Sequence, residues 1–132
     1  MSFDLNKLIG IPFKLNKKDF SGCDCRGIVW LYYKYIKDKI IPFSDGKRIF
    51  FRNKNKDYER IIIVLETFAY PIINFYELTE GDIIILKNYK NIGALGVCIN
   101  KYQALHMDKF VGSCLTKIQY LKDLFLVAYR PL

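Results

Sequence analysis

Two side-chain types in this chain could carry covalent chemistry: four cysteines, at 23, 25, 98 and 114, and a single histidine, His106. Cys25 is the candidate nucleophile. It directly follows Asp24, a residue suited to cap a helix, and so falls in the first turn, where unpaired backbone N–H groups and the positive end of the helix dipole favour a thiolate. Arg26 and Lys14 are nearby cations that could assist, while the Asp24 carboxylate opposes them. The plainer reading of Cys25 is a small buried hydrophobe, the common fate of a cysteine. A cysteine nucleophile needs a base to take its proton and a third group to orient that base. His106 is the only imidazole the chain can offer, and its plainer readings are a hydrogen-bonded core histidine or a surface residue without a role.

Other site chemistries find less support. Cys23 and Cys25 with His106 lack the two-pair spacing of structural zinc sites, so no metal and no cofactor is expected. Four cysteines could close two disulfides, yet a chain 52% hydrophobic does not need such staples, and reduced thiols are expected. The segment from Lys47 to Lys56 mixes cations with Phe50 and Phe51, the ingredients of a single-strand nucleic-acid surface. It carries no nucleic-acid motif. Docking of the paired phenylalanines on a protein partner is the preferred reading, and nucleic acid is not expected as a ligand.

The elements that would position these residues are legible from periodicity. A length of 132 residues suits one domain, taken as 1–132, with one core. Asp4 to Ile9 reads as a short helical turn, and an irregular loop follows to Gly22. Ile28, Val29, Tyr32 and Ile36 recur on one face of a helix predicted from about Cys25 to Lys37. Ser44 to Asp57 reads as an exposed basic stretch. A second helix is predicted from about Tyr58 to Ala69, its stripe built from Tyr58, Ile61, Ile62, Leu65, Phe68 and Ala69, with Pro71 ending it.

After Gly81 the pattern shifts to short strands, at Asp82–Lys87, Ala94–Asn100, Gln103–Met107, Cys114–Lys117 and Leu124–Tyr129, read as an antiparallel meander. Helices followed by strands predict an α+β domain with helices packed on one antiparallel sheet. No apolar run reaches the roughly 18 residues that a membrane span needs, so membrane insertion is not expected, and Met1 to Gly10 has no secretory-signal pattern. The net charge of +8 suits acidic partners, whether nucleic acid, anionic cell-wall polymers or acidic assembly proteins.

Two patches resemble a known family, the NlpC-type papain-like cell-wall cysteine peptidases, and in particular its version in tail-assembly proteins of long-tailed phages. The first comprises Gly10-Ile11-Pro12-Phe13, then Asp24-Cys25-Arg26-Gly27-Ile28-Val29, then Ile41-Pro42, similar to the family's G-x-P-Y, D-C-x-G-L-V and L-P. The second is Leu78-Thr79-Glu80-Gly81-Asp82-Ile83-Ile84, similar to L-x-x-G-D-L-V, followed by Leu95-Gly96-Val97-Cys98-Ile99 and Ala104-Leu105-His106, similar to H-V-G-I-Y-L and F-L-H. Ala128-Tyr129-Arg130-Pro131 resembles the end of tail-associated members.

The resemblance implies a papain-like α+β fold, Cys25 at the nucleophile position and His106 at the position of the third, orienting residue. It also implies a virion location at the phage tail tip, with tail-hub proteins as partners and peptidoglycan as the family's substrate. The chain departs from the pattern at three places. Ala94 stands where the family has its base histidine, Phe13 replaces the family's tyrosine, and Asn16-Lys17 replace a glycine pair. A three-residue loop at Ile99 to Lys101 would set Ala94 directly opposite His106. The expectation is a degenerate peptidase site with a mainly structural role; the alternative is an active peptidoglycan endopeptidase.

Overall fold

The computed structural model describes residues 4–15, 17–42, 61–87 and 92–132. The basic stretch with Phe50 and Phe51, and the start of the second predicted helix, lie outside the described residues.

Helix α1 runs Cys25–Ile36, close to the predicted span. Asp24 caps it, accepting from the Gly27 N–H at 2.8 Å, and this bond satisfies one of the first-turn amides. Ile28, Val29, Leu31, Tyr32 and Tyr33 are buried on its inner side. Past the Lys37 C-cap, Asp38 takes a left-handed φ of 54°, which a short polar residue tolerates, and the chain leaves the helix axis there. Residues 61–66 form a second helix, α2, with Ile61 and Leu65 of the predicted stripe buried.

A short hairpin, β1 (Lys18–Asp19) and β2 (Gly22–Cys23), precedes α1 where the sequence suggested irregular loop. Six further strands make one antiparallel sheet: β3 (Ala69–Ile72), β4 (Ile83–Leu86), β5 (Ile92–Cys98), β6 (Gln103–Asp108), β7 (Gly112–Lys117) and β8 (Phe125–Pro131). Their order is β3-β8-β4-β5-β6-β7. The predicted meander therefore holds from β4 to β7, but β8 returns to lie between β3 and β4. Strand β3 is also where the second predicted helix was drawn too long. Pro71 sits in β3 at the sheet edge, where a missing N–H breaks no interior ladder.

The sheet separates two apolar clusters. On one face Ile83, Ile85, Leu95, Val97, Leu105 and Met107 pack with α1 residues Ile28, Val29, Leu31 and Tyr32. On the other face Ile84, Leu86, Cys98, Ala104 and Ala128 pack with Ile118 and Leu121 of a 3₁₀ segment, Ile118–Leu124. Strand β4 is buried at all four positions because both clusters use it, which explains its unbroken isoleucine run. Among the described residues no helix is long and apolar enough to cross a membrane.

The N-terminal segment is fastened to the outer edge of β7. Gly10 N donates to the Ser113 carbonyl at 2.8 Å, and Ser113 N donates to the Ile11 carbonyl at 2.9 Å. The buried Ser113 hydroxyl completes the joint, donating to Leu8 O at 2.6 Å and accepting from Ile11 N at 2.8 Å. Gly112 is required there. Its φ is +87°, and a Cβ at this position would meet the Ile11 carbonyl oxygen at 2.5 Å.

Candidate active site

Cys25 occupies the first helical position of α1, half-buried, with its side chain against the edge of the α1-facing cluster together with Phe13. The loop before it is tightly laced. Lys14 N donates to Cys23 O at 3.0 Å, Cys23 N to Pro12 O at 3.0 Å, and Asp24 N to Lys17 O at 3.2 Å. This lacing gives Gly27 its meaning: a Cβ there would lie 2.3 Å from the Lys17 carbonyl oxygen and 2.8 Å from the Cys23 Cβ. The glycine two residues after the cysteine is thus a packing requirement of the helix entry.

The electrostatics of the entry are only partly those anticipated. Arg26 pairs with Asp24 at 3.4 Å, so the nearest expected cation lies against the capping carboxylate. Lys14 lays its aliphatic stem over Gly22. Cys23 is fully buried, and burial pushes its thiol up to about 12, with the Asp24 charge adding to the shift. Burial likewise pushes Cys98 up to about 12. All four cysteines are free thiols.

His106 lies in β6 between Leu105 and Met107, which belong to the α1-facing cluster. Strand alternation sends the imidazole to the other face. Gly96 agrees: a Cβ there would meet both the His106 Cβ and the Ile84 Cδ1 at 3.3 Å, and Ile84 belongs to the second cluster. The ring is 3% exposed. Its Nε2 is 2.5 Å from the Thr116 hydroxyl and 3.6 Å from the Cys114 sulfur, both from β7, while its Nδ1 is buried with no hydrogen-bond partner among the described residues. Burial lowers the imidazole's affinity for a proton, opposed by the Met107 backbone and the Asp108 carboxylate.

One expected juxtaposition is corrected. His106 stands opposite Gly96, not Ala94. Asn100 accepts from Tyr102 N at 2.7 Å and from Gln103 N at 2.8 Å, and Ile99 N donates to Gln103 O, so the turn closes at 100–102. This is one residue later than predicted, and the register moves by two. An irregularity between Ile92 and Gly96 separates the stretch holding Ala94 from the regular ladder.

The structure therefore gathers His106 with Cys114 and Thr116, which the sequence reading had not singled out. The available signal was the i, i+2 alternation of Cys114 and Thr116 across a hairpin from His106. Among the described residues no group of three or more His, Cys, Asp or Glu side chains is placed to hold a metal ion.

No family model and no curated protein matches the sequence. Solved structures do. The NlpC/p60 domain of the peptidoglycan hydrolase SagA superposes with a TM-score of 0.62 at 18% identity, over 93% of this chain and 89% of that one. A protein similar to a lipoprotein of the NLP/P60 family, from Staphylococcus aureus, superposes with a TM-score of 0.54 at 15% identity. That match takes in 100% of this chain and 43% of the other, so the chain spans less than half of that relative. The fold is that of NlpC/p60 domains, an α+β papain-like arrangement.

Proposed function

We propose that this chain is an NlpC-type domain whose cysteine peptidase site is degenerate, and that it serves mainly as a structural component of a phage tail tip, seated among tail-hub proteins. The observation that carries the reading is the state of the only histidine. With Ala94 in the place of the family's base, His106 is the single imidazole available, and it lies beside Cys114 and Thr116 on the sheet face opposite the α1-facing cluster against which Cys25 packs. Losing a positioned base costs about a hundredfold to ten-thousandfold in rate, and breaking a cooperative triad costs more. Phe13 retains the ring of the family's tyrosine without its hydroxyl. The parts of the entry that match the family's motif, Asp24 and Gly27, are explained by helix capping and close packing and require no turnover. Tail association is supported by the resemblance of the closing Ala128-Tyr129-Arg130-Pro131 and by a basic surface suited to acidic assembly partners.

The test is to incubate the chain with peptidoglycan stem-peptide fragments and follow new amino termini, alongside the Cys25→Ala and Ala94→His variants. No cleavage by the natural chain is expected, and Cys25→Ala should leave virion assembly and infectivity unchanged. Robust cleavage that disappears in Cys25→Ala would overturn the proposal in favour of an endopeptidase acting on the cell wall during infection. The place of Cys25 in the first turn of α1, half-buried, is what favours that second reading. Activity gained in Ala94→His but absent from the natural chain would identify the missing base as the cause of inactivity.

A further inference from the structure

The side chains of β6 and β7 place a thiol, an imidazole and a hydroxyl together on the sheet face opposite α1. Cys114 pairs with His106 across the ladder, and its sulfur lies 3.6 Å from the imidazole Nε2. Cys23 and Cys98 are 0% exposed, whereas Cys114 is half-buried and so partly reached by solvent. His106 is 97% enclosed and fixed by its strand, so its ring is a stationary acceptor for the proton of that thiol. None of this is used by the site built around Cys25.

We propose that Cys114 is a covalent modification site, a thiol served by His106 as general base and reactive toward low-molecular-weight disulfides. Disulfides fit because exchange needs only attack along the S–S axis and a proton for the departing sulfur. As the Cys114 sulfur attacks, its proton passes to His106 Nε2. A new S–S bond forms to one half of the reagent, the old S–S bond breaks, and the departing thiolate takes the proton back from Nε2. Cys114 is oxidised and the second half of the reagent is reduced, so no other redox partner is needed. Burial holds the Cys114 thiol protonated at rest, so the imidazole acts during attack and does not maintain a standing thiolate. Thr116 tunes the step. Its hydroxyl, 2.5 Å from Nε2, shares that ring nitrogen with the thiol and also hydrogen-bonds the Cys114 side chain, which opposes the effect of burial on the thiol.

The assay uses the native chain carrying Cys25→Ala and the chromogenic aromatic disulfide of Ellman's assay, with the labelled residue located by mass spectrometry. One thiol, Cys114, is expected to react in the folded protein. His106→Gln should slow it by about tenfold or more, in line with loss of a general base. Between the folded pKa of His106 and that of Cys114 the rate should be nearly independent of pH, as a base-assisted thiol requires, whereas unassisted thiolate attack climbs about tenfold per pH unit. Circular dichroism checks that each variant is folded. If His106→Gln fails to fold, the pH profile decides the matter, since it is read on the chain with its histidine in place. Label on Cys23 or Cys98, or a Cys114 rate that climbs about tenfold per pH unit through neutral pH, would overturn the proposal, as would an unchanged rate in folded His106→Gln.

Discussion

The most demanding test of the energetics concerns Arg130 and Asp82, residues from the two ends of the sheet-forming half of the chain. Asp82 is 0% exposed. Its carboxylate accepts from Arg130 Nε at 2.8 Å and from a terminal guanidinium nitrogen at 2.9 Å, in the two-pronged geometry that suits this pair, and from Thr79 N at 2.9 Å. Replacing Arg130 with Met keeps much of the apolar stem and leaves the carboxylate buried with one remaining donor from this set. Removing one partner of a buried pair costs about 3–5 kcal/mol. The Arg130 side chain is 32% exposed, so water can reach the vacated position, and the expected loss falls to about 2–3 kcal/mol. Lys37 and Glu80 provide an internal control. They pair at 2.6 Å with side chains 33% and 41% exposed, and Lys37→Met should cost less than about 1 kcal/mol. Urea denaturation followed by circular dichroism measures both, read as midpoint shifts at constant slope. The double variant Asp82→Asn with Arg130→Met should recover part of the loss, because no charge is then stranded. Equal costs for Arg130→Met and Lys37→Met would refute the reasoning.

Three further outcomes follow from the geometry. Gly27→Ala should destabilise the chain by about 2 kcal/mol or more, since its Cβ would press on a backbone carbonyl that the helix entry holds in place, and thermal unfolding reads the loss. Ser113→Ala strands the buried Ile11 N–H and Leu8 carbonyl and should cost about 1–3 kcal/mol, with faster amide exchange at Ile11 as its local signature. His106 is buried with its proton affinity lowered below the usual 6.5, so the unfolded chain binds the proton more readily. Stability should therefore fall as pH drops through 6.5 toward the lower folded value, and that slope should be absent from folded His106→Gln when denaturation is repeated across pH.

Periodicity revealed the parts whose pattern belongs to a single element. Helix α1 was legible because its cap and its apolar stripe are both local, and β4 to β7 because each strand is apolar, short and bounded by turn residues. What escaped depended on distant partners. Strand β3 looks like a helix tail with a breaking proline, and only the return of β8 beside it makes Ala69–Ile72 a strand. The position of the 100–102 turn depended on which backbone amides the Asn100 side chain would accept from, and that choice moved the His106 partner from Ala94 to Gly96. Cys114 was missed for the same reason: its neighbour is eight residues away and met only across the hairpin.

The patches that made the resemblance visible are mostly patches the fold itself demands. Asp24 caps α1, Gly27 lets the helix entry pass the Lys17 carbonyl, and Asp82 anchors Arg130. Gly96 leaves room for His106 and Ile84 on one sheet face. In this chain each of these residues has a structural role that is independent of bond cleavage. Two of the three places where this chain departs, Ala94 and Phe13, lack the imidazole and the phenol hydroxyl that the resemblance would put there, and the packing of the Phe13 ring needs no hydroxyl. Likeness at the first set therefore speaks for the architecture, and difference at the second set is what bears on activity. By that reasoning the place of Cys25 follows from the helix entry alone, while a different thiol, Cys114, has the histidine within reach.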